Sequence, residues 1–261
     1  MILVRHITEH EAEETKEAFQ LLSGVSYERV PPISPEAVLR DNPSLVTPIN
    51  RIRLLHQKPR QSYEDIDSVG ALGCTLSHRA LWKEAAASPR GMLILERRIS
   101  TTPATIEIDI VNFMSALMDS NIVMFASFVR VDSWTILHTP ELALFHPKYE
   151  LYPMNHLRAF LGTQAYWLSP EGARILLRDS LPIDKHVDAY IHYVASQYPN
   201  DVFTCTRGNW GLKCNEYEST IGHGGSFLVK QPGIVVGRLI FIHVICFVAL
   251  ILVLSLQVIF L

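Results

Sequence analysis

The segment Gly91-Met-Leu-Ile-Leu-Glu96 is apolar without interruption until it ends in charge, and Pro89 and Gly91 bound it in front. A strand with one face in water alternates polar and apolar side chains. An unbroken apolar run marks a strand covered on both faces. Such covering takes helices, and helix-forming segments lie on either side, Cys74–Ala87 before it and Pro103–Leu117 after it. Asn121–Phe125 reads as a second buried strand. Met1–Val4 and Tyr27–Val30 read as two more, the latter stopped by Pro31-Pro32. Between those two, Glu9–Leu22 reads as a helix, with acidic residues early and Ala12, Ala18, Phe19 and Leu22 loosely on one face. Residues 31–68, rich in Pro, Asn and charge, read as a long, partly helical connection near a binding face. Alternating strands and helices predict an α/β domain with an open, mostly parallel central sheet and ligands at the carboxyl ends of its strands.

Composition narrows the function classes. A formal net charge of −3 and the absence of any Lys/Arg block argue against nucleic acid as a partner. No Cys-x-x-Cys pair occurs, which argues against a zinc site built on cysteines. Cys74 and Cys246 read as small buried hydrophobes. Cys205 and Cys214 flank a Gly-Asn-Trp-Gly turn and would pair if the domain met an oxidising compartment. His186 and His192, six apart, do not share a helix face at metal-binding spacing. There is no Gly-x-Ser-x-Gly elbow, no P-loop and no Gly-x-Gly-x-x-Gly turn.

Residues 239–261 contain no charged side chain, and only His243, Ser255 and Gln257 interrupt them as clearly polar groups. At about 1.5 Å per residue such a run crosses a hydrocarbon core of about 30 Å. The expectation is a single-pass C-terminal transmembrane helix, preceded by Lys230 and Arg238 and joined to the domain by a linker over 226–238. Met1-Ile-Leu-Val4 runs at once into Arg5 and His6, so no signal-peptide core is expected. Tail-anchored insertion would leave residues 1–238 in the cytosol.

Two motifs carry the functional reading. Gly70-Ala-Leu-Gly-Cys-Thr-Leu-Ser-His78 leads into Arg79-Ala-Leu-Trp-Lys83 and reads as a turn opening a helix, with Leu81 and Trp82 in the core. Gly162-Thr-Gln-Ala-Tyr-Trp-Leu-Ser-Pro-Glu-Gly-Ala173 reads as a short strand that breaks at Ser169-Pro170 into another helix. With Leu93–Glu96 between them, followed by Leu181-Pro-Ile-Asp184, Val187-Asp188 and Ser219-Thr-Ile221, these segments resemble glycosyltransferase family 25. That family includes bacterial lipooligosaccharide transferases and procollagen galactosyltransferase domains. The resemblance covers roughly residues 1–225 and implies a GT-A-like, nucleotide-sugar-binding domain.

It also implies a reaction: inverting transfer of a hexose, galactose or glucose, from a UDP-sugar to a glycan, lipid-linked sugar or protein acceptor. The family is expected to use Mn²⁺ or Mg²⁺. Where its pattern reads Glu-Asp-Asp, this chain has Glu96-Arg97-Arg98. Arginine is always protonated and ligates no cation, so Glu96 is left as the metal ligand of that motif. Three readings stay open. The metal site is lost and the chain is an inactive relative, serving as a sugar-nucleotide or protein-binding module. Alternatively, the guanidinium groups bind the diphosphate themselves. Finally, both arginines are solvated residues after a strand. Ser77 and His78 are candidates for the nucleotide-sugar contact, against a reading in which Ser77 caps locally and His78 packs under the sheet. Thr163 and Tyr166 fall on the strand implied to line the acceptor side. Asp188 is the first candidate for general base or remaining cation ligand and Asp184 the second, against a role as carboxylates satisfying a helix N-terminus.

Overall fold

The computed structural model describes residues 1–9, 12–56, 64–66, 68–97, 99–107, 109–117, 121–124, 151–154, 163–205 and 211–214. All of them belong to the unit Met1–Ile221. The expected transmembrane helix, its linker and Cys246 lie outside the described residues, as does Arg98. Among the described residues, no helix is long and apolar enough to cross a membrane. Cys205 and Cys214 are described only as backbone, in strands of two different sheets.

The buried run forms β3 (Met92–Glu96), flanked by β1 (Ile2–Ile7) and, beyond it, β2 (Val25–Val30), all parallel. The main sheet adds β5 (Ile122–Met124), β6 (Leu151–Pro153), β7 (Ala165–Leu168) and β8 (Val202–Cys205) in the order β2-β1-β3-β7-β5-β8-β6. Strand β7 is antiparallel to both neighbours, and β6 is antiparallel to β8. The other five strands run one way, so the sheet is mixed but mostly parallel. A two-stranded sheet pairs β4 (Ile99–Ser100) with β9 (Lys213–Cys214).

Side-chain alternation along β3 splits the core between the two faces of the sheet. Met92 and Ile94 pack with Tyr166 and Leu168 of β7 under α4 (Val69–Ala87), α6 (Pro170–Arg178) and α7 (Val187–Gln197). Leu93 and Leu95 pack with Ala165 and Trp167 against Phe19 of α1 (Glu13–Gln20) and Ile110, Phe113 and Met114 of α5 (Asp109–Ala116). Both faces are covered, as the unbroken apolar run requires. The expected connection over residues 31–68 is indeed partly helical. It contains α2 (Pro35–Asp41), a 3-10 turn (Pro43–Leu45) and α3 (Pro48–Leu55), each opened by a proline whose missing N–H costs nothing there.

Strands β1 and β2 are longer than the expected Met1–Val4 and Tyr27–Val30, and three helix starts differ from expectation. Helix α4 begins at Val69, because Ser68 Oγ caps it by accepting from Ala71 N at 3.1 Å. Gly70 and Gly73 therefore lie within the helix and open no turn. At Gly73 a Cβ would stand 3.0 Å from the Ile33 carbonyl oxygen, so the residue admits the chain leaving β2. Helix α5 starts late because Thr102–Thr105 forms its own turn, with Thr102 N donating to Thr105 Oγ1 at 3.0 Å. Helix α1 starts at Glu13, after the expected Glu9. The break after β7 falls where the sequence placed it: Ser169 Oγ accepts from Gly172 N at 2.9 Å, and Pro170 opens α6.

Candidate active site

The antiparallel course of β7 builds the site. Leu95 stands opposite Ala165, so the residues entering β7 lie beside the carboxyl end of β3, and Glu96 N donates to the Gln164 carbonyl at 2.8 Å. Thr163 thereby reaches Glu96, and its hydroxyl bonds Glu96 Oε1. The same hydroxyl oxygen lies 3.3 Å from Asp188 Oδ1. Asp188 sits in the first turn of α7, whose unpaired amides favour a negative charge. Two carboxylates distant in sequence thus meet on one buried hydroxyl, both at the sheet edge where an α/β fold binds ligands. No described residue bonds Glu96 Oε2.

A buried relay holds Glu96 from below. Trp82 Nε1 donates to Tyr166 Oη at 2.8 Å. The phenol has one hydrogen of its own, and His78 Nδ1, 2.9 Å away, is placed to accept it. That assignment leaves the imidazole proton on Nε2, which donates to Glu96 Oε1 at 3.1 Å. His78, Trp82 and Tyr166 are all but inaccessible to solvent. Burial above all, together with the Glu96 charge, pushes the Tyr166 hydroxyl well above its ordinary range and keeps it a donor.

The other candidates fall in different places. Ser77 Oγ donates to the Gly73 carbonyl at 2.7 Å and accepts from Ile33 N at 2.8 Å, which ties α4 to the chain after β2. Tyr166 is fully buried and serves the site from inside. Leu81 and Trp82 are core residues, as expected. Asp184 lies at the surface with its carboxylate 3.2 Å from Lys185 Nζ, and it lines a shallow depression with Arg79, Ser180 and Tyr190. Arg97 follows Glu96 directly and is partly exposed. Among the described residues no carboxylate pairs with it.

Three further residues belong to the site: Cys74, expected as a small buried hydrophobe and in fact only partly buried, His186, expected only as half of a pair without metal-binding spacing, and His6, to which the sequence assigned no role. Cys74 and His78 are one helical turn apart, and the Cys74 sulfur, a His78 nitrogen and a Glu96 oxygen lie within 4.8 Å of one another. Their i, i+4 spacing was the available signal. Burial first, then the charges of Glu96 and Asp188, pushes the Cys74 thiol well above its usual range. His186 precedes α7, and its Nδ1 lies 3.5 Å from both the amide and the carboxylate of Asp188.

His6, opposite Leu95 on β1, contacts Tyr27 Oη at 2.8 Å through Nδ1. Burial lowers its pKa to about 4, against a smaller opposing pull from the Glu96 backbone. The unfolded chain then takes up this proton near pH 6.5 and the folded one only near 4, so stability falls as pH drops through that window and levels off below it. At pH 5 the loss attributable to His6 is expected to be about 2 kcal/mol. Urea unfolding of wild type and His6→Gln at pH 5 and 7.5 measures it. The idea fails if the two proteins show the same pH dependence.

No protein-family model matches this chain, and no curated protein matches it.

Proposed function

We propose that the chain is a GT-A-type glycosyltransferase that transfers a hexose, galactose or glucose, from a UDP-sugar to a glycan, lipid-linked or protein hydroxyl with inversion. The observation that carries this reading is the meeting of Glu96 and Asp188 on the Thr163 hydroxyl at the carboxyl end of β3. The motif resemblance and the mostly parallel sheet support it further. The exchange of two aspartates for Arg97 and Arg98 removed carboxylates from the strand end, yet Asp188 supplies one from another element.

The chemistry follows from those groups. Asp188 takes the proton from the acceptor hydroxyl as that oxygen attacks the anomeric carbon from the face opposite the nucleotide. The bond to the diphosphate breaks, and UDP leaves with the electron pair. Arg97 offers a permanent positive charge and a forked donor to the phosphate oxygens. Glu96, Asp188 and the Thr163 hydroxyl form an all-oxygen donor set of the kind that suits Mg²⁺ or Mn²⁺. A cation there would neutralise the leaving diphosphate. His78 holds Glu96 in place through the Trp82–Tyr166 relay. By the resemblance the domain spans residues 1–225, and by its uncharged, apolar sequence the run 239–261 anchors it in a membrane.

The test is release of UDP from UDP-galactose and UDP-glucose by the full chain in detergent, with Mn²⁺ and with EDTA, alongside calorimetric titration with UDP. Transfer or hydrolysis that Asp188→Asn removes supports the proposal. Binding of UDP without any turnover favours the second reading, an inactive sugar-nucleotide-binding module, which the arginines after Glu96 motivate. No binding of either kind sinks both.

The arginine also makes a separate prediction. Arg97→Ala is expected to weaken UDP at least about tenfold in EDTA as well as in Mn²⁺, because a charge-assisted contact of about 1.5–3 kcal/mol is lost. Unchanged affinity in both conditions would mean that Arg97 faces no phosphate.

A further inference from the structure

We infer that Cys74, His78 and Glu96 form a binding site for a borderline divalent ion such as Zn²⁺ or Co²⁺, with one thiolate, one imidazole and one carboxylate ligand. This is a different chemistry from the all-oxygen set above, and it stands whether or not the chain transfers sugar.

The three donor atoms lie within 4.8 Å of one another, so small side-chain adjustments bring them around one ion. The scaffold supports this convergence. Cys74 and His78 project from the same face of α4, one turn apart, and Glu96 ends the strand packed beneath that helix. The His78 ring is fully buried and fixed on its far side, where Nδ1 meets Tyr166 Oη at 2.9 Å, with Trp82 Nε1 bonded to that oxygen in turn. Metal-binding histidines are typically held through the second ring nitrogen in this way. His78 Nε2 already points at a Glu96 oxygen 3.1 Å away. A metal would take the place of the proton between those two atoms.

Proton bookkeeping is simple. The Cys74 thiol gives its proton to solvent as sulfur takes the ion. His78 ligates as the neutral ring: metal binding shifts its proton from Nε2 to Nδ1, which then donates to Tyr166 Oη instead of accepting from it as in the metal-free site. The charges of the thiolate, the carboxylate and the ion then cancel. Three protein ligands leave a fourth position for water or a ligand atom. A hard cation gains nothing from sulfur and uses Glu96 with Asp188. A borderline cation is drawn to the Cys74 side.

Cobalt reports on the sulfur directly. Titration of the full, reduced chain with Co²⁺ is expected to produce a thiolate-to-cobalt charge-transfer band that saturates at one equivalent and is displaced by Zn²⁺. Cys74→Ser should abolish the band and weaken Zn²⁺ by more than about a hundredfold, beyond the loss typical of an outer partner. Cys74→Ala, which buries no hydroxyl, gives the same readout if the serine variant folds poorly. A chain with Cys205, Cys214 and Cys246 all changed to Ser should keep the band. His78→Gln should weaken Zn²⁺ without removing the sulfur signal at saturating cobalt. The inference is overturned if wild type shows no band, if the band survives Cys74→Ala, or if it vanishes with the other three cysteines. Loss of UDP binding or of transfer leaves these outcomes untouched.

Discussion

On the proposed function, Asp188→Asn is expected to lower hexose transfer by about 10²- to 10⁴-fold, the range a positioned general base contributes. The substitution keeps the size of the side chain and removes the charge proposed to accept the proton. Its cost to the fold is expected to be small, about 0.3–1 kcal/mol for a carboxylate lost from a helix N-terminus. Glu96→Gln should give a loss of similar size for another reason. The carboxylate is the meeting point of the His78 and Thr163 bonds, and an amide there offers one acceptor oxygen in place of two. Asp184→Asn should change transfer by less than about threefold, because this side chain lies at the surface beside Lys185. Initial rates of UDP release under saturating donor measure all three. If Asp184→Asn loses activity while Asp188→Asn retains it, the base has been assigned to the wrong carboxylate.

Trp167→Ala is expected to remove about 3–5 kcal/mol of stability, a large share of the roughly 5–15 kcal/mol that a domain has in total. Trp167 is fully buried on the α1/α5 face of the sheet, between β3 and β5. Its indole N–H donates to the Leu117 carbonyl at 3.1 Å. The packing against the ring is tight: a Cβ at Gly91 would stand 2.0 Å from it, so only glycine fits there. Truncation therefore opens a large cavity and leaves the Leu117 carbonyl without this donor. Trp167→Phe, which keeps most of the volume, should cost less than half as much. Chemical denaturation with the slope unchanged measures the difference. A loss under about 1 kcal/mol for Trp167→Ala would mean that the core layer under α1 and α5 can collapse around the gap.

Local pattern was enough to find the elements that carry the site. The unbroken Met92–Leu95 run announced a strand covered on both faces. Ser169-Pro170 announced where a strand must hand over to a helix, since a capping hydroxyl followed by a proline at the first helical position is a purely local device. The same local logic failed at Gly70 and Gly73. Glycines suggest a turn by propensity, but both lie inside the helix, and at Gly73 the reason for glycine is the approach of the Ile33 backbone, a contact between segments far apart in sequence. Glu96 and Asp188 could each be picked from the sequence as a carboxylate at an element end. Their meeting could not, because it depends on β7 running antiparallel between two parallel strands and so delivering Thr163 to the end of β3.

The relay below Glu96 had the same character. Ser77 and His78 are adjacent and looked equally able to meet a ligand. A helical turn of 3.6 residues points them in different directions, Ser77 toward the Ile33 backbone and His78 toward Tyr166 and Glu96. Cys74, which reads from its surroundings as a small apolar filler, shares the face of His78 for the same reason. The sequence by itself determined the strands and helices around its two motifs, the double covering of the central strand and the residue types available at the strand ends. Only the tertiary structure decided which carboxylates, hydroxyls and ring nitrogens face one another, because strand order and direction depend on contacts that no local window contains.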